Sequence, residues 1–280
     1  MAKSKVIARR APAGAKSRAS SVVHRICNVV PSKNTEQDWK LQDAVLAGSL
    51  QALALPPSVD LRQPWWTIGD QGATGSCVGW AAAEGVVRYH MVKANKLAKT
   101  VPLSARQVWM ASKETDAFTA RPESFIEEAG TSLKAAVDIC RKYGVVPNAT
   151  LPFSVGGLMY SGNENSFYAL AAQRKIASYF NLFKNLDQWR TWLASHGPIL
   201  VALNVDRTWD HASATHGNLD VFQPGTVRGG HAVSVVGYTS SGRFILRNSW
   251  GVGWGDHGFG YATAAYINAA FFNESYGVTV

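Results

Sequence analysis

Two apolar patterns follow one another along this chain of 280 residues. Up to about residue 195, apolar side chains recur with the period of a helix, which predicts helices at 76–93, 104–115, 131–143 and 186–195. Beyond that point, runs rich in Val, Ile and Leu predict antiparallel strands at 199–205, 231–238 and 244–248. Helices followed by strands are typical of an α+β protein, here with a helical lobe at about 70–170 and a β lobe at about 171–280.

The composition excludes several classes of protein. Hydrophobic residues make up 46% of the sequence and charged residues 17%, which excludes a disordered or fibrous chain. No apolar run reaches the ~18–20 residues of a transmembrane helix, so we expect no membrane span. Three cysteines cannot build a disulfide framework. They favour a reducing compartment such as the cytoplasm, or export by a non-classical route.

The basic residues concentrate at the start of the chain. Eight of the 28 lysines and arginines lie in residues 1–35, which hold no acidic residue, so residues 36–280 carry 20 basic against 19 acidic side chains. Residues 1–35 lack a helical or strand period, and we predict a mobile, disordered arm that suits an anionic partner or surface. A signal peptide is not expected, because it requires an apolar stretch of ~7–15 residues. Here the apolar run 6–8 is followed directly by Arg9 and Arg10. A transit peptide, an export signal, a pro-segment and a passive tail stay open.

Residues 36–54 are predicted to be a short helical pre-segment. Their apolar side chains, from Trp39 to Leu53, lie roughly on one helical face. Pro56-Pro57 ends this helix, because proline lacks the amide hydrogen that a helix interior requires. The compact domain is therefore predicted to run from residue 55 to residue 280.

Cys77 is the first candidate for chemistry. It lies at the start of the helix predicted at 76–93, where unpaired N–H groups and the helix dipole favour the nucleophilic thiolate. Gln71 lies six residues earlier, and its amide can donate to an oxyanion beside the backbone N–H of Cys77. The plain alternative is that Cys77 is a small buried hydrophobic residue.

His231 and Asn248 belong to two neighbouring strands. Two glycines precede His231 in GGHAVSVVGY, which leaves room for a substrate. Asn248 ends the next strand, in RNSWGVGWG, where its carbonyl can orient an imidazole. Taken alone, His231 is equally typical of a histidine in the core. Taken alone, Asn248 is equally typical of a turn residue at the end of a strand.

Together these segments resemble the papain family of cysteine peptidases. DQGATGSCVGWA is similar to the oxyanion and nucleophile segment of that family, and GGHAVSVVGY and RFILRNSWGVGWGDHGFGY are similar to its His and Asn segments. LPPSVDLR resembles the start of a mature family enzyme, and the likeness extends over about residues 55–265. It implies a two-lobed papain-like fold, with the helical lobe first and an antiparallel, β-barrel-like lobe second.

The resemblance also implies a role for each matched residue. Cys77 is then the nucleophile of a thiol peptidase, His231 shares its proton, and Asn248 orients His231. Gln71 and the Cys77 N–H form the oxyanion hole, and Trp250 shields the bond between His231 and Asn248 from water. By the same matching, Gly130, Thr131 and Ala232 line the substrate cleft.

This chain departs from the family pattern at several positions. Thr74 replaces the usual cysteine three residues before the nucleophile, and Val78 follows the nucleophile in place of tryptophan. Only Cys27 and Cys140 remain, so the family disulfides are missing and the bacterial-type branch is indicated. The stretch before LPPSVDLR is shorter than the usual inhibitory pro-domain, so we do not expect autoinhibition by a full pro-region.

The predicted function is a monomeric cysteine endopeptidase that acts on peptides or proteins and needs no cofactor. Two alternatives stay open: an acyl transferase or amidase that uses the same residues, and a catalytically silent module that binds peptides. The glycines of GVGWGDHGFG open no helix and so do not predict a phosphate loop. Asp210, His211 and His216 have a spacing that fits no standard zinc site, so no metal is expected.

Overall fold

The computed structural model describes residues 25–48, 55–115, 129–154 and 162–280. The first 24 residues of the predicted arm and residues 49–54 of the predicted pre-segment lie outside these ranges. Within them, no helix combines the length and the apolar character that a membrane crossing requires.

The helices of the described ranges are numbered in chain order. They are α1 (Leu41–Leu46), α2 (Cys77–Gly79, Trp80–Val87 and Arg88–Lys93), α3 (Ala105–Thr115), α4 (Leu133–Lys142), α5 (Glu164–Ala171), α6 (Leu186–Ser195) and α7 (Ala264–Ala270). The helices predicted at 76–93, 104–115, 131–143 and 186–195 are confirmed as α2, α3, α4 and α6. Gly144 follows α4 with φ 84°, a left-handed conformation that suits a helix stop.

Helix α2 runs through the interior of the molecule. Its middle part, Trp80–Val87, is a π-helix, which the sequence pattern did not predict. Small residues let neighbouring elements approach closely, since a Cβ atom at Gly79 would lie 2.3 Å from the Ala105 carbonyl oxygen. A Cβ atom at Gly85 would likewise lie 2.6 Å from the Ser234 hydroxyl oxygen in the sheet. The start of α2 is therefore held firmly between α3 and the sheet.

The strands of the described ranges form one sheet. They are β1 (Val59–Asp60), β2 (Ser178–Asn181), β3 (Ile199–Val205), β4 (Asn218–Leu219), β5 (Gly229–Tyr238), β6 (Phe244–Arg247), β7 (Phe259–Ala262) and β8 (Phe271–Thr279). The order is β2-β8-β3-β5-β6-β7-β4, with β1 paired to β5. All pairs are antiparallel except β4 with β7.

The three predicted strands are confirmed as β3, β5 and β6. The α+β class is confirmed too, by the mixture of helices and a large sheet. Within the described residues the sheet of the β lobe is not a closed barrel, because the path of paired strands runs openly from β2 to β4. A short parallel pair at β4 ends the sheet on one side.

Two apolar cores lie on either side of the central strands. One packs tryptophans of α6 and the loops against the sheet, around Trp189, Trp192 and Trp209. The other joins α2 and α4 to the sheet and contains Cys77 and Ala232. Strand β5 contributes to both cores, so the start of α2 and the start of β5 meet at the boundary between the helical part and the sheet.

Residues 25–34 of the predicted arm are ordered against the body. In this N-terminal segment, residues 25–34, the N–H of Val29 donates to the Gly230 carbonyl at 3.0 Å and that of Val30 to the Thr131 carbonyl at 3.1 Å. The prediction of a mobile arm is therefore wrong for residues 25–34. Main-chain hydrogen bonds hold the segment, and these require no apolar period in the sequence.

The predicted pre-segment contains a shorter helix than expected, α1. Leu46 is 86% exposed and Trp39 64% exposed, so the expected apolar face is only partly buried. A polar contact anchors the stretch instead. The Tyr276 hydroxyl donates to the Asp38 carboxylate at 2.7 Å, and Lys134 forms an ion pair with the same carboxylate at 2.5 Å.

Candidate active site

Cys77 is the first residue of α2, directly after Ser76. Its side chain is fully buried. The backbone N–H groups of Ala232, Val78 and Cys77 itself donate to the sulfur, which is the contact expected at the start of a helix. Since Ala232 follows His231 in β5, the thiol and the imidazole meet at one point between the helix and the sheet.

His231 is bound to Asn248 through one ring nitrogen. The distance from His231 Nε2 to Asn248 Oδ1 is 2.7 Å, and the Ser249 N–H donates to the same oxygen at 2.8 Å. Because Asn248 Oδ1 accepts, Nε2 must carry the proton. The neutral ring then has its free lone pair on Nδ1, which is buried and has no hydrogen-bond partner among the described residues. This is the tautomer that a base acting on Cys77 requires.

Tryptophan rings surround the imidazole. The Trp250 ring lies 4.8 Å from the His231 ring, centroid to centroid, and the Trp209 ring meets its edge at 5.5 Å. Trp254 stacks on Trp209 at 5.2 Å. The structure thus places Trp250 against His231, whose Nε2 is bound to Asn248. Trp209 was missed, because nothing in its own loop sequence distinguishes it from a core residue.

Gln71 is fully buried, and both ends of its side-chain amide are fixed. Ser249 Oγ donates to Gln71 Oε1 at 3.0 Å, so the N–H groups of the Gln71 amide point away from Ser249. Gln71 Nε2 donates to the Thr74 carbonyl at 2.9 Å and to the Ile26 carbonyl at 3.3 Å. Ser249 is a positioning residue that sequence reasoning missed, although its place next to Asn248 was a signal.

The N-terminal segment lies directly over these groups. The Ile26 carbonyl accepts from Gln71, and the carbonyl oxygen of Cys27 packs against Gly229, where a Cβ atom would lie only 2.1 Å away. Gly229 adopts φ 145°, a conformation that favours glycine. The two glycines before His231 therefore make room for a peptide main chain, as the sequence indicated for a substrate.

The predicted cleft residues also contact the N-terminal segment. A Cβ atom at Gly130 would lie 1.9 Å from the Asn28 carbonyl oxygen, so only glycine fits there. The Thr131 carbonyl accepts from Val30. Ala232 is fully buried, and its N–H donates to the Cys77 sulfur. Its side chain therefore forms no exposed wall of the substrate cleft. The structure thus brings Gly130 and Thr131 to the segment, and Ala232 to the thiol.

An ion pair fixes the start of the segment. Arg25 contacts the Asp70 carboxylate through both guanidinium ends and also donates to the Trp250 carbonyl at 3.2 Å. Burial alone would raise the pKa of Asp70, but the hydrogen bonds from Arg25 and Gly72, together with the Arg25 charge, lower it. Asp70 precedes Gln71, so this ion pair sits at the edge of the candidate site. The sequence pattern did not single it out.

Covering the cleft changes the ionisation of both reactive groups. Burial raises the pKa of the Cys77 thiol to about 11, against the lowering effect of its N–H donors. Burial lowers the pKa of His231 to about 4, although its bond to Asn248 acts in the other direction. In this conformation the pair is therefore a neutral thiol and a neutral imidazole. The sequence analysis expected a thiolate at Cys77 instead, because the sequence pattern did not place the segment over the site.

Within the described ranges, no group of three or more His, Cys, Asp or Glu side chains is arranged to hold a metal ion. Asp210 forms an ion pair with Arg228 at 2.9 Å, so it serves as a structural partner there. His216 lies in a tight turn with φ 51°.

The comparisons with known proteins agree with this geometry. Residues 55–274 match the model of the papain family of cysteine proteases. The chain belongs to the papain family. It is 28% identical to ananain of Ananas comosus over 229 residues, which are 79% of this chain and 59% of ananain. It is 27% identical to cathepsin J of Mus musculus over 221 residues, which are 74% of this chain and 60% of that protein. The chain thus spans about 60% of the length of these relatives.

Solved structures show the same fold. Xylellain, a cysteine protease from Xylella fastidiosa, superposes with a TM-score of 0.74 at 23% identity, covering 93% of this chain and 99% of that one. Procathepsin L 3 of Tenebrio molitor superposes with a TM-score of 0.61 at 18% identity, covering 82% of this chain and 72% of that one. At these identities the likeness is one of fold alone.

Proposed function

We propose that the protein is a cysteine endopeptidase that cleaves peptide bonds through a Cys77 thiolate and a His231 imidazolium. The observation that carries this proposal is the N-terminal segment. An extended peptide already lies over Cys77 and His231, held by main-chain hydrogen bonds to Gln71, Gly230 and Thr131. Main-chain recognition on both sides of a nucleophile suits a peptide or protein substrate rather than a small amide.

The reaction follows from the positions of the groups. When the segment leaves and water enters, the start of α2 favours the thiolate, and His231 Nδ1 takes the Cys77 proton. The sulfur attacks the scissile carbonyl carbon, and the oxyanion is stabilised by Gln71 Nε2 and the Cys77 N–H. The imidazolium then protonates the leaving amine, which leaves an acyl-enzyme on Cys77.

Water completes the cycle. His231 removes a proton from a water molecule, the hydroxide attacks the thioester carbonyl, and the thiolate departs with the acid product released. Asn248 keeps Nε2 protonated throughout and so directs both proton transfers to Nδ1. Trp250 and Trp209 keep water away from this bond, which strengthens it.

An active-site-directed epoxide and a fluorogenic peptide library test this proposal. We expect one epoxide molecule to add to Cys77 in the wild type, and peptides to be cleaved internally. Cys140→Ala is the matched control, because Cys140 is also fully buried but lies in helix α4 rather than at the start of α2. Labelling without any cleavage would indicate a silent peptide-binding module. Transfer of the acyl group to an added amine, without hydrolysis, would indicate a transferase.

A further inference from the structure

The Arg25 side chain occupies a polar site at one end of the cleft. Its guanidinium contacts both oxygens of the Asp70 carboxylate, Oδ2 at 3.1 Å. It also donates to the Gly72 carbonyl at 3.3 Å and to the Trp250 carbonyl at 3.2 Å. A carboxylate and two carbonyls together suit the planar fork of five N–H donors in a guanidinium. The side chain is largely buried in this site.

The body of the protein fixes the acceptors of this site. The Gly72 N–H donates to Asp70 Oδ1 at 2.8 Å. The main chain next to Asp70 is held too, because the Gln71 N–H donates to the Ser249 carbonyl at 2.8 Å. Among the described residues, Arg25 is the one cation that forms an ion pair with Asp70. When the segment leaves the cleft, the site therefore keeps its shape and presents an unpaired carboxylate.

The site lies next to the position of the scissile bond. Asp70 directly precedes Gln71, whose side-chain amide is the proposed oxyanion donor. Within the segment, Arg25 directly precedes Ile26, whose carbonyl accepts from Gln71 Nε2 at 3.3 Å. A peptide substrate must place its scissile carbonyl at the same donor. A substrate side chain one or two residues from the scissile bond can therefore reach the site that Arg25 occupies.

We propose that Asp70, together with the Gly72 and Trp250 carbonyls, forms a subsite that selects an arginine side chain of the peptide substrate. The proposal rests on the function proposed above and names its substrate class: peptides with arginine within two residues of the scissile bond. In the docked state, Arg25 takes the place of that arginine. Lysine fits this subsite less well, because its ammonium group lacks the fork that spans a carboxylate and two carbonyls.

Pairs of fluorogenic peptides that differ only by arginine against citrulline test the proposal on the full chain. Citrulline keeps the size and shape of arginine but carries no charge. One pair is made for each of the two positions on either side of the scissile bond. The ratio of kcat/KM within a pair does not depend on the open fraction of the chain, because both peptides meet the same fraction. We expect the wild type to prefer arginine about fivefold at one of these positions.

Asp70→Asn is the decisive variant, because it removes the charge and keeps a side-chain oxygen for the Gly72 N–H. We expect it to lose the preference and to cleave the arginine and citrulline peptides equally. Asp220→Asn is the matched control, because Asp220 is about as exposed as Asp70 and pairs with Arg243 instead. It should keep the preference of the wild type. Arg25→Ala should cleave both peptides faster, at an unchanged ratio.

Two results would overturn the proposal. One is equal cleavage of the arginine and citrulline peptides by the wild type at every position, and the other is a preference that Asp70→Asn keeps. Neither result affects the peptidase assignment, because cleavage of the citrulline peptides measures that separately. If the wild type cleaves none of the peptides, fluorescence anisotropy measures their binding to the full chain. Tighter binding of an arginine peptide that Asp70→Asn abolishes would then support the subsite and reject the peptidase, whereas equal binding would reject both.

Discussion

Cys77 carries the proposed chemistry, and Cys77→Ala tests it most directly. We expect turnover to fall by about 10⁶, the size of effect seen when a hydrolase loses its nucleophile. The side chain is buried among small residues, so losing one sulfur costs about 1 kcal/mol of stability. Peptide hydrolysis and thermal unfolding measure the two effects, with Cys140→Ala as control. Residual activity of more than a few per cent of wild type, with a normal melting curve, would exclude Cys77 as nucleophile.

Gln71 has two roles in this structure, and Gln71→Ala should separate them. Loss of an oxyanion donor lowers kcat by about 10²–10³. Loss of the bond to the Ile26 carbonyl loosens the segment, so iodoacetamide should alkylate Cys77 faster than in the wild type. Ser249→Ala, which only frees the far end of the amide, should show both effects more weakly. A fall in both turnover and alkylation would mean that Gln71 merely supports the fold.

The four polar residues of the site were predictable because the sequence places each at a defined point of an element. Cys77 starts a helix, His231 lies near the start of a strand and Asn248 ends the next one. Trp209 and Ser249 were not predictable in the same way, because their roles come from contacts across the fold. A buried tryptophan near a histidine has the same local sequence as a buried tryptophan elsewhere.

At the scale of elements, the ion pair of Arg25 with Asp70 holds one end of the N-terminal segment. The Arg25 side chain is 15% exposed and the Asp70 side chain 51% exposed, so solvent screens this pair in part. We expect Arg25→Ala to raise the alkylation rate of Cys77 about fivefold, which corresponds to about 1 kcal/mol of lost docking energy. Arg190→Ala, which removes an ion pair with Asp187 elsewhere, is the control. An unchanged rate would show that Arg25 does not hold the segment.

Elements with a regular apolar pattern were predictable, and others were not. Strand β3 has seven residues, all but one buried, and its bounds were predicted as they are observed. Strand β8 was missed because Glu274 and Ser275 interrupt its apolar run. Both side chains are buried and hydrogen-bonded, because Glu274 accepts from the Ser32 N–H and Ser275 Oγ accepts from Trp189 Nε1. Tertiary hydrogen bonds of this kind, like those of residues 25–34, leave no period in the sequence.

At the scale of the whole molecule, the pH dependence of segment docking follows from the number of protons that the site binds. The docked state lowers the pKa of His231 to about 4 and raises the pKa of Cys77 to about 11, so the docked pair holds one proton, on the thiol, at neutral pH. In the proposed open pair that proton has moved to His231, so both states bind one proton and docking is nearly independent of pH there. Above the pKa of the open imidazolium, the open state releases its proton before the docked state does, so docking weakens as the pH rises.

Alkylation of Cys77 in the full chain should show this dependence. Between pH 7.5 and pH 5.5 we expect the rate to change by less than about threefold, because the open fraction stays constant and the open pair keeps its thiolate. An ordinary thiol would react about tenfold more slowly for each pH unit as the pH falls. The measurement is a pseudo-first-order rate by mass spectrometry, with Cys140 as the internal unreactive thiol. A fall of about tenfold per pH unit toward acid pH would contradict the linkage.

A shortened chain that begins at Thr35 provides the widest test, because it removes the segment and keeps the body. The segment contacts Gln71, Gly230 and Thr131 through its main chain, and its Ser32 N–H contacts Glu274, so a docked segment competes with any peptide substrate. Turnover scales with the open fraction, and we expect the shortened chain to cleave a fluorogenic peptide at least about tenfold faster than the full chain. Its Cys77 should also be alkylated faster than Cys77 of the full chain, because the segment no longer covers the thiol. A synthetic peptide of residues 25–34 should inhibit it again, whereas a peptide of the same composition in scrambled order should not. Equal turnover of the two chains, with equal melting temperatures, would show that the segment does not stay in the cleft in solution.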